Sequence, residues 1–141
     1  MGNKLVMIKV FKILTLFIML TLISCEHDLP TPANQIEPRL SSIQENILTP
    51  RCAISGCHIP GGAGPMALRN KNESFNNLVN VPSAFGKPRV DPGNANNSVL
   101  FLKVIGDNSV GQRMPRNGPP FLNDDEINAI RDWINDGALD N

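Results

Sequence analysis

From Cys25 onward the chain holds 12 prolines and 10 glycines in 117 residues. Proline removes a backbone donor and fixes φ, and both residue types interrupt regular elements. Helices here must therefore be short and their connections long. No alternating apolar pattern is long enough for a sheet, and no internal repeat is present. The expected class is all-α, with three to four short helices and long loops. A length of 141 residues suits one small domain. Beyond position 24 only 42 of 117 residues are apolar, and five of those are aromatic. That is a thin inventory for a loop-rich domain, and it points to something that supplements the core. The same stretch carries 10 basic and 13 acidic residues. A net −3 argues against a nucleic-acid partner, which would call for a basic patch.

Residues 1–24 read as a secretion signal. Lys4, Lys9 and Lys12 form its positive region, and Ile13 to Ile23 is an apolar run broken only by Thr15 and Thr21. The run is too short to span a membrane by itself. It ends Leu22-Ile23-Ser24-Cys25, which resembles the bacterial lipobox. That resemblance implies acylation of Cys25, whose thiol accepts the diacylglycerol, and anchoring by two or more acyl chains. Residues 25–37 then read as an extended tether. Its two prolines and weak apolar pattern would let it span roughly 35–40 Å at about 3.1 Å per residue. His27, within it, reads as a solvated bystander. The domain proper is expected over 38–141.

Four helical segments are legible. Leu40, Ile43, Ile47 and Leu48 recur at helical spacing, and Ser42 with Glu45 fits a capping box, so a helix is expected over 42–49 with Pro50 re-aiming the chain. Asn72 is the expected cap of a short helix bearing Phe75, Leu78 and Val79, ended by Pro82. Asp91-Pro92-Gly93-Asn94 is turn chemistry leading to a helix over 95–105. Leu100, Phe101, Val104 and Ile105 form its inner side, and Gly106 is its stop. The last is the clearest: Asn123 and Glu126 form a capping box, Leu122 and Ile127 a hydrophobic staple, and Ile127, Ile130, Trp133 and Ile134 an apolar stripe. Asp124 and Asp125 complement the helix dipole, and Gly137 ends the helix.

The reactive side chains concentrate in Cys52-Ala-Ile-Ser-Gly-Cys57-His58. Two cysteines followed directly by histidine is the arrangement that holds c-type haem: the thiols form thioethers and the histidine ligates iron. The usual spacing is C-x-x-C-H, and here it is C-x4-C-H. The two extra residues would have to bulge outward, for which Ser55 and Gly56 are suited. The Gly61, Gly62, Gly64 and Pro65 loop that follows lacks the Lys-Ser/Thr of a phosphate-binding loop, so it is not read as one.

The stretch from Ile47-Leu48-Thr-Pro-Arg-Cys52 to Gly56-Cys57-His58 resembles the opening of small class I-type cytochrome c domains, nearest to the planctomycete-type modules. Arg89-Val90-Asp91-Pro92-Gly93 with Asn97-Ser98-Val99-Leu100, Arg113-Met114-Pro115, and Leu122–Ile127 with Trp133–Ala138 resemble later parts of that domain, so the likeness covers about residues 40–139. It implies a cytochrome c-like fold around one covalent haem c, with Cys52 and Cys57 as attachment points and His58 as proximal ligand. It also implies Met114 as distal ligand, in the loop framed by Gly111, Pro119 and Pro120. Met66 reads instead as a flexible gap-filler. Arg113 and Arg116 flank Met114 and are candidate contacts for the haem propionates. The haem itself is expected to fill the core between the helices carrying Leu100, Phe101, Ile130 and Trp133.

The implied function is electron transfer between envelope redox proteins by a lipid-anchored monohaem carrier, on the periplasmic or outer-membrane face. A second reading shares the cysteines. In an oxidising envelope Cys52 and Cys57 could form a disulfide, worth on the order of 2 kcal/mol for so short a loop, in a haem-free structural or binding lipoprotein. Zinc is a weaker reading, because adjacent Cys57 and His58 are poorly placed around one tetrahedral ion and a fourth ligand is not evident. No nucleophile–base pair with an orienting acid is identifiable, and Asp124, Asp125 and Glu126 read as a helix start. The chain is therefore not expected to be an enzyme.

Overall fold

The computed structural model describes residues 35–141. The signal, Cys25, His27 and the tether as far as residue 34 lie outside the described residues. Helix α1 spans Leu40–Ile43 and continues as a π-helical segment, Gln44–Cys52. Helix α2 spans Lys71–Leu78, α3 Val99–Ile105 and α4 Asp124–Asn135, with single 3-10 turns at Ala95–Asn97 and Asn108–Val110. Among the described residues there is no strand, only isolated bridges pairing Val79 with Val90 and Pro82 with Pro88. The all-α class is thus the observed one. No helix of the described residues is long and apolar enough to cross a membrane.

The first helix departs from its expected bounds. It starts at Leu40, and its free amides are capped from the far end of the chain: Leu40 N donates to Asn141 Oδ1 at 2.9 Å and Ser41 N to Asn141 O at 2.9 Å. Ser42 is no cap, because its hydroxyl accepts from Glu37 N. Pro50 does not end the helix either. In an α-helix its ring would clash with the carbonyl four residues back, and the wider π turn relieves this. Ala53 N accordingly donates to Leu48 O, five residues back, at 2.7 Å.

The cap of α2 is Asn70, not Asn72, with its side chain accepting from Glu73 N. That helix ends before Pro82, at Leu78. The helix expected over 95–105 is split at Ser98, whose extended backbone separates the 3-10 turn from α3. Gly106 caps α3 in the left-handed conformation, as anticipated, but Ile105 is exposed rather than inward. Helix α4 agrees with its local code: both halves of the Asn123–Glu126 capping box form, Leu122 is buried and Ile127 packs against the core.

The core draws on all four helices. Leu40, Ile43, Ile47 and Leu48 from the first helix meet Leu78 from α2, Phe101 and Val104 from α3, and Ile130, Trp133 and Ile134 from α4. Ile36 packs against its edge. Trp133 is fully buried, and its indole N–H donates to Leu139 O at 2.9 Å, which satisfies its one polar atom. Phe101, Ile130 and Trp133 belong to this core, and Leu100, packed against it, borders an open space that the core residues Leu68, Leu78 and Val104 also line.

Candidate functional site

Cys52 ends the π-helical segment, and the chain then turns back on itself. Cys57 N donates to Ile54 O at 3.0 Å, and His58 N returns to Cys52 O at 3.1 Å. Between these bonds Ser55 and Gly56 project into solvent, and Gly56 takes φ +78. The two additional residues of the motif therefore form a bulge at Ser55 and Gly56. The bulge brings His58 back to the carbonyl of Cys52. A side chain at 56 would find open space, so glycine is required there for its backbone angle alone.

The glycine loop after His58 lies along the motif. Ala63 N donates to Gly56 O at 3.0 Å, Gly64 N to Cys57 O at 3.2 Å, and Leu68 N to His58 O at 2.9 Å. The approach is too close for side chains. A Cβ on Gly62 would stand 2.0 Å from Cys57 O, and one on Gly64 would stand 2.4 Å from His58 Nδ1. Beyond Gly64, the Met66 carbonyl sits 3.2 Å from His58 Nδ1. A carbonyl oxygen only accepts, so Nδ1 carries the proton and Nε2 keeps its lone pair. This is the tautomer that a metal-ligating histidine needs. Sequence reasoning set this loop aside after rejecting a phosphate site. Its glycine spacing was the visible signal, whereas a backbone acceptor has no residue signature.

Two cavities meet at the motif. The larger, about 440 Å³, has almost wholly apolar walls and is lined by Cys52, His58, Met66, Leu100, Val104 and Met114 among others. The smaller, about 120 Å³, is lined by Arg51, Cys52, Cys57, His58, Met114 and Arg116. Cys52, His58 and Met114 border both. The fold thus brings Met114 to Cys52 and His58, residues 56 or more positions before it in sequence. Met66, read as a gap-filler, packs against the core and also lines the larger space.

Among the described residues both cysteines are free thiols. Cys52 keeps some accessible surface because it borders the cavities, yet protein surrounds its sulfur. Burial pushes its thiol pKa up to about 12, with Cys57 and Glu126 adding to the rise and Arg51 opposing it. No three His, Cys, Asp or Glu side chains among the described residues come together as a metal-binding group.

Charge is sorted around these cavities. Among the described residues Arg39, Arg51, Arg69, Lys71 and Arg131 are each paired with a carboxylate. Among the same residues Lys87, Arg89, Lys103, Arg113 and Arg116 have no such pair. Arg89 and Lys103 line the larger cavity and Arg116 the smaller. Lys103 sits 4.6 Å over the Phe85 ring, and burial, then the nearby Arg116 charge, hold its pKa below the ordinary lysine value. Arg113 lines neither cavity: its Nε donates to Val104 O at 2.8 Å and its guanidinium stacks 4.4 Å over Phe121. Of the two arginines singled out from sequence, Arg116 is at the site and Arg113 is turned to other partners. Arg89 and Lys103 were missed, although the span from Lys87 to Arg116 carries five basic residues against Asp91 and Asp107 alone.

No family model, curated protein or solved structure matches the chain.

Proposed function

We propose that this protein is a monohaem c-type electron carrier with a cytochrome c-like fold. The observation that carries the reading is the Nδ1–H of His58 on the Met66 carbonyl, which leaves Nε2 basic at cavities bordered also by Cys52 and Met114. The residues present fit haem c. Cys52 and Cys57 would hold it through thioethers, His58 would be the proximal ligand and Met114 the distal one. Its propionates would be neutralised by Lys103 and Arg116, cations at the cavities that have no carboxylate partner among the described residues. Bound there, the haem would supply a reversible one-electron couple, and a thioether ligand beside the histidine would favour the ferrous state.

The chain's own residues supply position and environment. The Gly62–Gly64 segment and the Met66 carbonyl hold the imidazole in one orientation and one tautomer. Leu68, Leu78, Leu100 and Val104 give apolar walls that exclude water, which keeps the dielectric low around a charge-changing centre. No substrate bond is made or broken. With the signal at 1–24 and acylation at Cys25, the carrier would be tethered in a bacterial envelope and exchange electrons with redox proteins there.

Expression in a host with c-type maturation machinery tests the reading. The expected product is red and keeps its haem through acid-acetone extraction. A colourless protein with a quantitative Cys52–Cys57 disulfide would falsify it.

A further inference from the structure

The loop that follows Met114 is bare of backbone bonding. Pro115, Pro119 and Pro120 have no N–H to donate. Within residues 115–121 the one backbone hydrogen bond is internal, Gly118 N to Pro115 O at 3.2 Å. Among the described residues a single hydrogen bond ties this segment to the rest of the protein: Arg51 Nη2 donates to Pro120 O at 2.8 Å. The other arm of the same guanidinium, Nη1, lies 3.4 Å from Glu126 Oε1. Glu126 is itself fixed, since its Oε2 accepts from Asn123 N at 2.8 Å in the capping box of α4. Arg51 directly precedes Cys52. One side chain therefore spans three segments: the end of the first helix, the loop after Met114, and the first turn of α4.

We infer that Arg51 is a positioning residue that holds the Met114–Phe121 loop closed over the Cys52 end of the first helix. The fork of the guanidinium suits the task, because it reaches two acceptors at once with fixed geometry. Lysine could satisfy only one of them well. Glu126 sets the angle of the fork, and the side-chain exposures of 29% for Arg51 and 9% for Glu126 mean that the pair is little screened. The loop-holding role needs no cofactor. Its consequence, a Met114 side chain kept at the cavity, rests on the haem reading above.

The test compares the full chain with Arg51→Met, which removes both donors and keeps the aliphatic stem. Because this leaves Glu126 uncompensated, Arg51→Met/Glu126→Gln is made beside it. Amide exchange is followed at Met114 and Gly118, with Ile130 in α4 as the reference, and tryptic cleavage after Arg116 is timed. Loss of the tie should speed exchange at Gly118 and cleavage after Arg116 about fivefold, the scale of one ordinary hydrogen bond. Exchange at Ile130 should stay unchanged in the double variant, and Arg51→Lys should recover part of the protection. Equal loop protection in all variants, or a uniform acceleration that includes Ile130, overturns the inference. In the red protein, imidazole should displace the Met–iron charge-transfer band at about fivefold lower concentration. If a red wild type shows no such band while the loop still responds, ligation by Met114 fails; if the protein is colourless, the haem reading fails; in either case the Arg51 tie stands.

Discussion

His58 and Met66 are joined by an imidazole Nδ1 held 3.2 Å from a backbone carbonyl oxygen. The bond is made to the main chain, so its geometry depends on how closely the Gly62–Pro65 segment can lie on the histidine. Gly64 is the point of contact.

Gly64→Ala should therefore be costly. Its Cβ would fall 2.4 Å from Nδ1, and the loop would have to move off the ring. The expected loss is about 2–3 kcal/mol, in the range for overpacking a close contact. Gly61→Ala is the comparison: it has φ +78 but open space, so only the backbone conformation is penalised, by about 1–2 kcal/mol. Urea unfolding of the two variants checks the order. Equal losses would mean that the contact with His58 does not matter.

Met114→Leu separates ligand from plug. The side chain is half-buried at the cavity, and leucine is close to it in volume, so stability should fall by less than about 1.5 kcal/mol. In the haem-loaded protein the Met–iron charge-transfer band should vanish, while Met66→Leu should leave it intact. A band that survives Met114→Leu but not Met66→Leu would transfer the distal role to Met66.

Cys52 should resist alkylation in the haem-free folded protein. With its pKa near 12, only about one thiol in ten thousand is ionised at pH 8, against roughly a quarter for an unperturbed cysteine. Pulse labelling with iodoacetamide at pH 8, read by peptide mass, should modify Cys52 at least a hundredfold more slowly than in the urea-unfolded chain. The protection should fade as pH approaches 12. Comparable rates in folded and unfolded protein would contradict the burial of this sulfur.

Lys103 reports the charge imbalance at the cavity. Its pKa is lowered by burial first and by Arg116 second. The folded protein therefore binds fewer protons than the unfolded chain between the lowered value and the ordinary 10.5. Stability of the haem-free protein should rise with pH through that window, as the unfavourable charge is discharged. Arg116→Gln should bring the Lys103 pKa partway back up, measurable by NMR titration of its ε-carbon. An unmoved titration curve would remove Arg116 from its surroundings.

What could be read without coordinates followed from how local the physics is. The α4 boundary was legible because donor and acceptor of its capping box, Asn123 and Glu126, are three residues apart. The bulge at Ser55 and Gly56 was legible because glycine alone readily takes the left-handed angle found at 56. The start of α1 was not, since its amides are capped by Asn141, a hundred residues away, and a plausible Ser42–Glu45 box suggested otherwise. Ile105 looked inward by periodicity, but it is the last residue of α3, whose buried side chains are Val99, Phe101, Leu102 and Val104, and it is exposed.

The sequence alone determined the chemistry available: two thiols beside one histidine, a later methionine between arginines, and too much proline and glycine for anything but short helices. Tertiary structure decided which of these meet. It opened a space along the core residues Leu68, Leu78 and Val104, turned Arg113 away, and brought Arg89 and Lys103 to that cavity. It also chose the His58 tautomer through the Met66 carbonyl. The reason is physical: residue type sets what a side chain can do, but main-chain acceptors and empty space belong to no residue type, and only packing creates them.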